Sequence, residues 1–125
     1  MIVDTNAISA WRSSDIALLD ALPPDSQLLL PVIAVGEFLF GINRFRQRAL
    51  NQEWLNELCS RVPVAHVTLE TAARYADVGS GLQGKGRPIR ENDMWIAALA
   101  LQHGLPVLSR DTHLDVVDGL TRVSW

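Results

Sequence analysis

The sequence is short of several things, and each shortage removes a class of explanation. A single cysteine, Cys59, excludes an internal disulfide and a multi-cysteine zinc site, and its place among helical residues reads as a buried thiol. Aromatic residues make up only 6% of the chain, so Trp11, Trp54, Trp95 and Trp125 are assigned to core or interface rather than to a base-stacking surface. There is no excess of positive charge. Eleven Lys and Arg stand against 14 Asp and Glu, a net charge of -3, so any contact with phosphate must be local rather than a bulk attraction. No apolar run approaches the roughly 18 residues of a membrane span, and Met1 leads into Asp4 without a signal-peptide pattern. The expectation is a cytoplasmic protein with no membrane partner. Repeats and low-complexity segments are absent as well.

What is present suits one core. With 125 residues, 48% of them hydrophobic, the chain is expected to form a single domain over 1–125. Short apolar runs alternate with longer helical patterns. Met1-Ile2-Val3 predicts a first strand, with Thr5 or Asn6 capping a helix through Ala10. Ser13-Ser14-Asp15 offers the next cap, for a helix ending at Pro23-Pro24. Gln27 to Leu30 predicts strand two, and Pro31 suits the first turn of a helix that carries Glu37 and is interrupted by Gly41 and Asn43. Arg44 to Arg61 reads as an amphipathic surface helix. Pro63 to Val67 predicts strand three. Thr68 caps a helix through about Leu82, and Gly79, Gly81, Gly84 and Gly86 are expected to close it in a loop. Asn92 reads as the cap of a central helix, apolar on every side from Met94 to Leu101 and ended by His103-Gly104. Pro106 to Ser109 and Thr121 to Ser124 supply the last two strands.

Strands separated by helices imply a parallel sheet covered on both faces, and in such sheets ligands sit beyond the carboxyl ends of the strands. Asp4, Glu37, Asp93 and Asp111 each stand where an apolar strand ends or a helix begins, positions this fold gathers at one edge. Four acids crowded in one cleft repel and take up protons unless a cation compensates them, which points to a divalent-metal site. A donor set of carboxylates without histidine or cysteine favours Mg²⁺ over zinc. Asp93, at the positive end of its helix, gains about 0.3 to 1 kcal/mol for its ionised form. Taken singly, Asp4, Asn6 and Asp93 are good capping or first-turn residues, and Asp111 suits the start of a turn. Glu37 is harder to explain structurally, because Val35, Phe38, Leu39 and Phe40 surround it.

These residues carry a resemblance. Asp4-Thr5-Asn6, Glu37 within Ile33-Ala34-Val35-Gly36-Glu37, the run Asn92-Asp93-Met94-Trp95-Ile96-Ala97-Ala98, and Ser109-Arg110-Asp111 resemble the signature of PIN-domain nucleases. Within these, the chain is most similar to the VapC-type toxin ribonucleases of toxin-antitoxin pairs. The similarity spans nearly the whole chain. It implies a three-layer α/β/α sandwich with a five-stranded parallel sheet in order 3-2-1-4-5, and Mg²⁺ or Mn²⁺ in an acidic pocket. It further implies endoribonuclease cleavage leaving a 5′ phosphate, inhibition by a cognate antitoxin protein, and a homodimer. The metal-ligand and catalytic roles fall on Asp4, Glu37, Asp93 and Asp111, with Asn6 supporting and Ser109 matching the Ser or Thr that orients the last acid. Only three residues precede Asp4, which makes the first strand short.

For the RNA substrate, Lys85, Arg87 and Arg90, in the glycine-bearing loop before the Asp93 helix, and Arg110, beside Asp111, are the candidate phosphate contacts. Arg44, Arg46 and Arg48 suit solvent or an acidic partner. His66, His103 and His113 read as structural, because this chemistry needs no imidazole. Two enzyme and receptor alternatives share the N-terminal aspartate. A haloacid-dehalogenase-type phosphatase needs a second aspartate where Asn6 stands, and a phospho-accepting receiver module needs paired acids after strand one and a late lysine. A catalytically inactive PIN-like binding module is the remaining alternative, although such scaffolds usually lose pocket acids and all four stand here.

Overall fold

The sequence alternation is realised as parallel strands packed with helices, in a computed structural model that describes residues 1–125. In chain order the elements are β1 (Ile2–Val3), α1 (Thr5–Arg12), α2 (Ile16–Ala21), β2 (Leu30–Pro31), α3 (Val32–Ile42), α4 (Arg48–Arg61), β3 (Val64–Ala65), α5 (Leu69–Lys85), α6 (Glu91–His103), β4 (Val107–Leu108) and β5 (Arg122–Val123). A short 3₁₀ turn over Thr112–Val116, which the sequence reading lacked, sits between β4 and β5.

All strand pairs are parallel. β1 pairs with β4 (Ile2 with Val107, Val3 with Leu108), β4 with β5, and β2 with β3. The single five-stranded ladder expected from the sequence is therefore divided into β1-β4-β5 and β2-β3. One bridge, Ile2 with Leu29, lies between them, made by Leu29 N–H to Met1 O and Val3 N–H to Leu29 O, both 2.9 Å. Pro31 explains why pairing stops there. The next bond of a parallel ladder would need an N–H from residue 31, and proline has none.

The strands are short but deeply buried. Ile2, Val3, Val107 and Leu108 are inaccessible to solvent, as are Ile96, Ala97, Ala98 and Leu99 of α6. The all-round apolar character of α6 thus corresponds to the central position expected of it. Gly79 lets α5 lie close against α6, since a Cβ there would stand 3.0 Å from the Met94 side chain. Tyr75 of α5 stacks on Trp95 of α6 with ring centroids 4.0 Å apart, and Trp54 packs against Phe38, so these tryptophans serve packing.

Several boundaries differ from the sequence reading for identifiable reasons. Asp4 itself, rather than Thr5 or Asn6, caps α1 by accepting from Thr5 N–H. α4 begins at Arg48, four residues later than expected. Thr68 does cap α5, with a capping box to Thr71, but the helix runs past Gly79, Gly81 and Gly84 and stops only at Gly86, whose φ of 63° suits glycine. Lys85 consequently ends a helix instead of lying in a loop. Arg90, not Asn92, occupies the N-cap position of α6, and Gly104 ends that helix as expected, with φ 62°.

Candidate active site

Asp4 leaves β1 buried, with 5% of its surface exposed, and both of its oxygens accept hydrogen bonds. Oδ1 accepts from Thr5 N–H at 2.7 Å; Oδ2 accepts from the Asn6 amide at 2.7 Å and from the Ser109 hydroxyl at 2.6 Å. Ser109, buried just past β4, also accepts from the Asn6 amide and from Asp111 N–H, each at 2.9 Å. Asn6 Oδ1 in turn accepts from Arg110 N–H at 3.2 Å. Because β1 and β4 are neighbours, their carboxyl ends deliver Asp4, Asn6, Ser109 and Asp111 to one place.

The other two acids come from helices. Asp93, in the first turn of α6 and 3% exposed, receives a two-pronged contact from Arg90: Nε to Oδ2 at 3.0 Å and Nη2 to Oδ1 at 3.1 Å. Glu37 of α3 accepts from the Thr5 hydroxyl and, at 2.9 Å, from the Asn92 amide. Asp111 accepts from His113 N–H at 2.9 Å and pairs with His113 Nδ1 at 2.8 Å, while its other oxygen lies 3.8 Å from Arg90 Nη2. Sequence reasoning missed the contacts of Thr5, Asn92 and His113. Asn92 carried a signal in its adjacency to Asp93, but that signal is shared with ordinary helix capping.

The electrostatics tie the four acids into one cluster. Burial raises the Asp4 carboxyl above its ordinary pKa; the Ser109 and Thr5 hydrogen bonds oppose this, and repulsion from Asp93 and Glu37 adds to it. Arg90 is raised by its hydrogen bonds and charge pairing with Asp93, with smaller contributions from Glu37 and Asp111. At Asp111, burial pushes upward but the His113 N–H and ring and the Arg90 charge prevail, holding the carboxyl below its ordinary value.

Could these residues hold a cation? The donors are all oxygen, as Mg²⁺ and Mn²⁺ prefer, and the pocket already draws a guanidinium between Asp93 and Asp111. The chemistry fits. As the side chains stand, however, no three acidic, histidine or cysteine groups are spaced to hold one ion together. Protein donors and Arg90 occupy the oxygens instead.

The candidate RNA contacts are dispersed. Lys85 binds Asp118 at 2.5 Å and Val116 O at 3.0 Å. Arg87 lines a groove with Gly79, Pro88, Ile89 and Met94. The Arg110 guanidinium pairs with Asp15 at 3.0 Å and lies 4.5 Å from the Trp125 ring, so only its backbone touches the cluster. Arg90 alone reaches the acids.

Comparison with known proteins identifies the family. The family model described as "PIN domain" matches residues 1–120. VapC ribonuclease Y4jK of Sinorhizobium fredii is 32% identical to the chain, covering 90% of it and 87% of its own length. Among solved structures, DNA-bound VapBC from Salmonella typhimurium superposes with a TM-score of 0.89 at 20% identity, over 99% of this chain and 96% of that one. VapBC-5 from Mycobacterium tuberculosis, described as a member of the VapBC family of toxin-antitoxin systems, gives 0.75 at 25% identity over 98% and 94%. A phosphatase or receiver reading has no support from these matches, and the chain belongs to the PIN-domain family, among its VapC-type members.

Proposed function

We propose that the chain is the toxin of a toxin-antitoxin pair, a metal-dependent endoribonuclease acting in the cytoplasm as a single domain over 1–125 and as a homodimer. The observation that carries this reading is the linked set Asp4–Asn6–Ser109–Asp111, with Asp93 and Glu37 close enough to perturb Asp4. The names and descriptions of the VapC and VapBC relatives support the activity and the antitoxin partner. We read the two ladders and their bridging residue as one five-stranded surface in order 3-2-1-4-5 within three layers.

Hydrolysis adds water across the phosphodiester: the water oxygen joins phosphorus, and the 3′ oxygen leaves with a proton. Bound Mg²⁺ or Mn²⁺ supplies an acidified water and a positive charge for the phosphoryl oxygens. Asp4 and Asp93, the most buried acids, are the proposed direct ligands, and Asp111 and Glu37 complete the set or accept the proton from water. Ser109 and Asn6 orient Asp4 by donating to Oδ2, and the Ser109 bond opposes the upward push of burial on its carboxyl. Arg87 and the Arg110 segment would meet phosphates nearby; Lys85, committed to Asp118, is the weaker candidate. The antitoxin is proposed to cover the exposed Phe40 and Phe45 and the groove of about 350 Å³ that Phe45 lines with Glu37, whose lining includes the buried Phe38.

The Arg90 contact also suits a binding module with a neutralised pocket, so the test must separate cutting from holding. Purified protein, freed of any partner, is incubated with total RNA and Mg²⁺ or Mn²⁺, beside Asp4→Asn and a chelator control. Cleavage by the wild type alone supports the nuclease. RNA retention without cleavage supports the binding module, and equal cleavage by Asp4→Asn rejects the assigned site.

A further inference from the structure

The guanidinium among the acids has an unusual combination of properties. Its partner Asp93 is almost wholly buried, with 4% of its side chain exposed, whereas Arg90 is 73% exposed at the mouth of the cluster. The fork also lies 3.8 Å from Asp111, so one side chain serves two of the four acids. Arg90 holds the N-cap position of α6 by its extended backbone alone, with no side-chain capping bond. The acids cannot follow the arginine outward. The arginine can leave them, because its head already faces water and its long stem is flexible.

We propose that Arg90 is an exchangeable counter-cation: its guanidinium neutralises Asp93 and Asp111 in the metal-free protein, and a divalent ion must displace it to bind. This rests on the metal-site reading above. A divalent ion takes carboxylate oxygens at about 2.0 to 2.1 Å, and a guanidinium on those same oxygens would meet it as a like charge. The two cations therefore bind in opposition, and removing one strengthens the other by the same coupling. Arg90 accordingly sets how tightly the pocket takes its metal. It also explains why the acids, satisfied by protein donors, are not spaced around a common centre. Once displaced, the guanidinium stands at the mouth of the pocket, where a phosphate arrives.

The test is Mn²⁺ titration calorimetry on chelator-stripped protein, with thermal unfolding measured in parallel. Arg90→Gln should bind Mn²⁺ about tenfold more tightly than wild type, while Arg90→Lys, which keeps the charge but loses the fork, should fall between them. Metal-free Arg90→Gln should melt below wild type and recover more of that loss on adding Mn²⁺. Arg61→Gln, which removes a charge paired with Glu57 far along the sequence from the cluster, should match wild type in Mn²⁺ affinity. Equal or weaker Mn²⁺ binding by Arg90→Gln overturns the exchange while leaving the metal site standing. No Mn²⁺ binding by either protein overturns both.

Discussion

The Ser109 hydroxyl donates to Asp4 Oδ2 at 2.6 Å, across 105 residues of chain. This bond and the Thr5 N–H are what oppose the upward push of burial on the Asp4 carboxyl. Ser109→Ala should therefore leave a less readily ionised Asp4 and lower the RNA cleavage rate by about 10- to 100-fold. The acid limb of the pH–rate profile should move to higher pH. Ser109→Thr, which keeps the hydroxyl, should recover most of the rate; an unchanged profile in Ser109→Ala would reject this role.

Asn6 touches three partners of the cluster: Asp4 Oδ2, Ser109 Oγ and Arg110 N–H. Asn6→Asp would place a second carboxylate against Asp4. Metal-free protein carrying it should unfold at lower temperature at neutral pH, by about 1 to 3 kcal/mol of stability in denaturant titration. The deficit should shrink on acidification, as the added acid becomes protonated.

Asp115, in the 3₁₀ turn, is paired through both oxygens with Arg122 of β5, at 2.7 and 2.9 Å, and Arg122 also donates to Ser109 O. The Arg122 hydrogen bonds hold the Asp115 carboxyl below its ordinary value of 3.8, so the folded state favours its ionised form. The resulting stabilisation is fully present above pH 3.8 and is lost as pH falls through the depressed folded-state value. Asp115→Asn should be less stable than wild type at pH 7, and the two unfolding curves should converge in strong acid. A gap that stays constant with pH would contradict the pairing.

Phe45, 65% exposed, lines the groove that holds Glu37, and Phe40, on the same helix as Glu37, is 66% exposed. Replacing both by serine should abolish capture by the co-expressed antitoxin while changing stability by no more than about 0.5 kcal/mol per site. Retained capture would send the antitoxin to another face. Ile96→Ala, by contrast, removes a fully buried α6 side chain and should cost about 2 to 5 kcal/mol in urea unfolding.

The sequence made the alternation of elements, the centrality of α6 and the caps at Thr68 and Gly104 legible, because each depends on local periodicity or on a residue with one strong backbone preference. It did not make the course of α5 legible: Gly79, Gly81 and Gly84 look like breakers, yet packing against α6 overrides a propensity cost of about 1 kcal/mol each. For the site, Asp4 and Asp111 are legible because each follows an apolar strand, Asp93 because it opens the apolar α6, and Glu37 because it stands as a lone charge inside an apolar helix. The resemblance names Asn6 and Ser109 as their supporting residues, but which atoms they hold is not legible. Ser109 and Asn6 meet only through the pairing of β1 with β4, and the inward turn of Arg90 depends on the local fold of the segment before α6. The outward commitment of Lys85 and Arg110 likewise depends on Asp118 and Asp15, which periodicity does not connect to them.

The missing N–H of Pro31 leaves the acids on two sides of a break in the sheet. Asp4 and Asp111 follow β1 and β4, neighbouring strands of one ladder. Glu37 rides on the helix that starts directly after Pro31, beyond a seam stitched by a single bridge. The Thr5 hydroxyl and the Asn92 amide, both donating to Glu37, therefore close through side chains a gap that the sheet leaves open in its backbone.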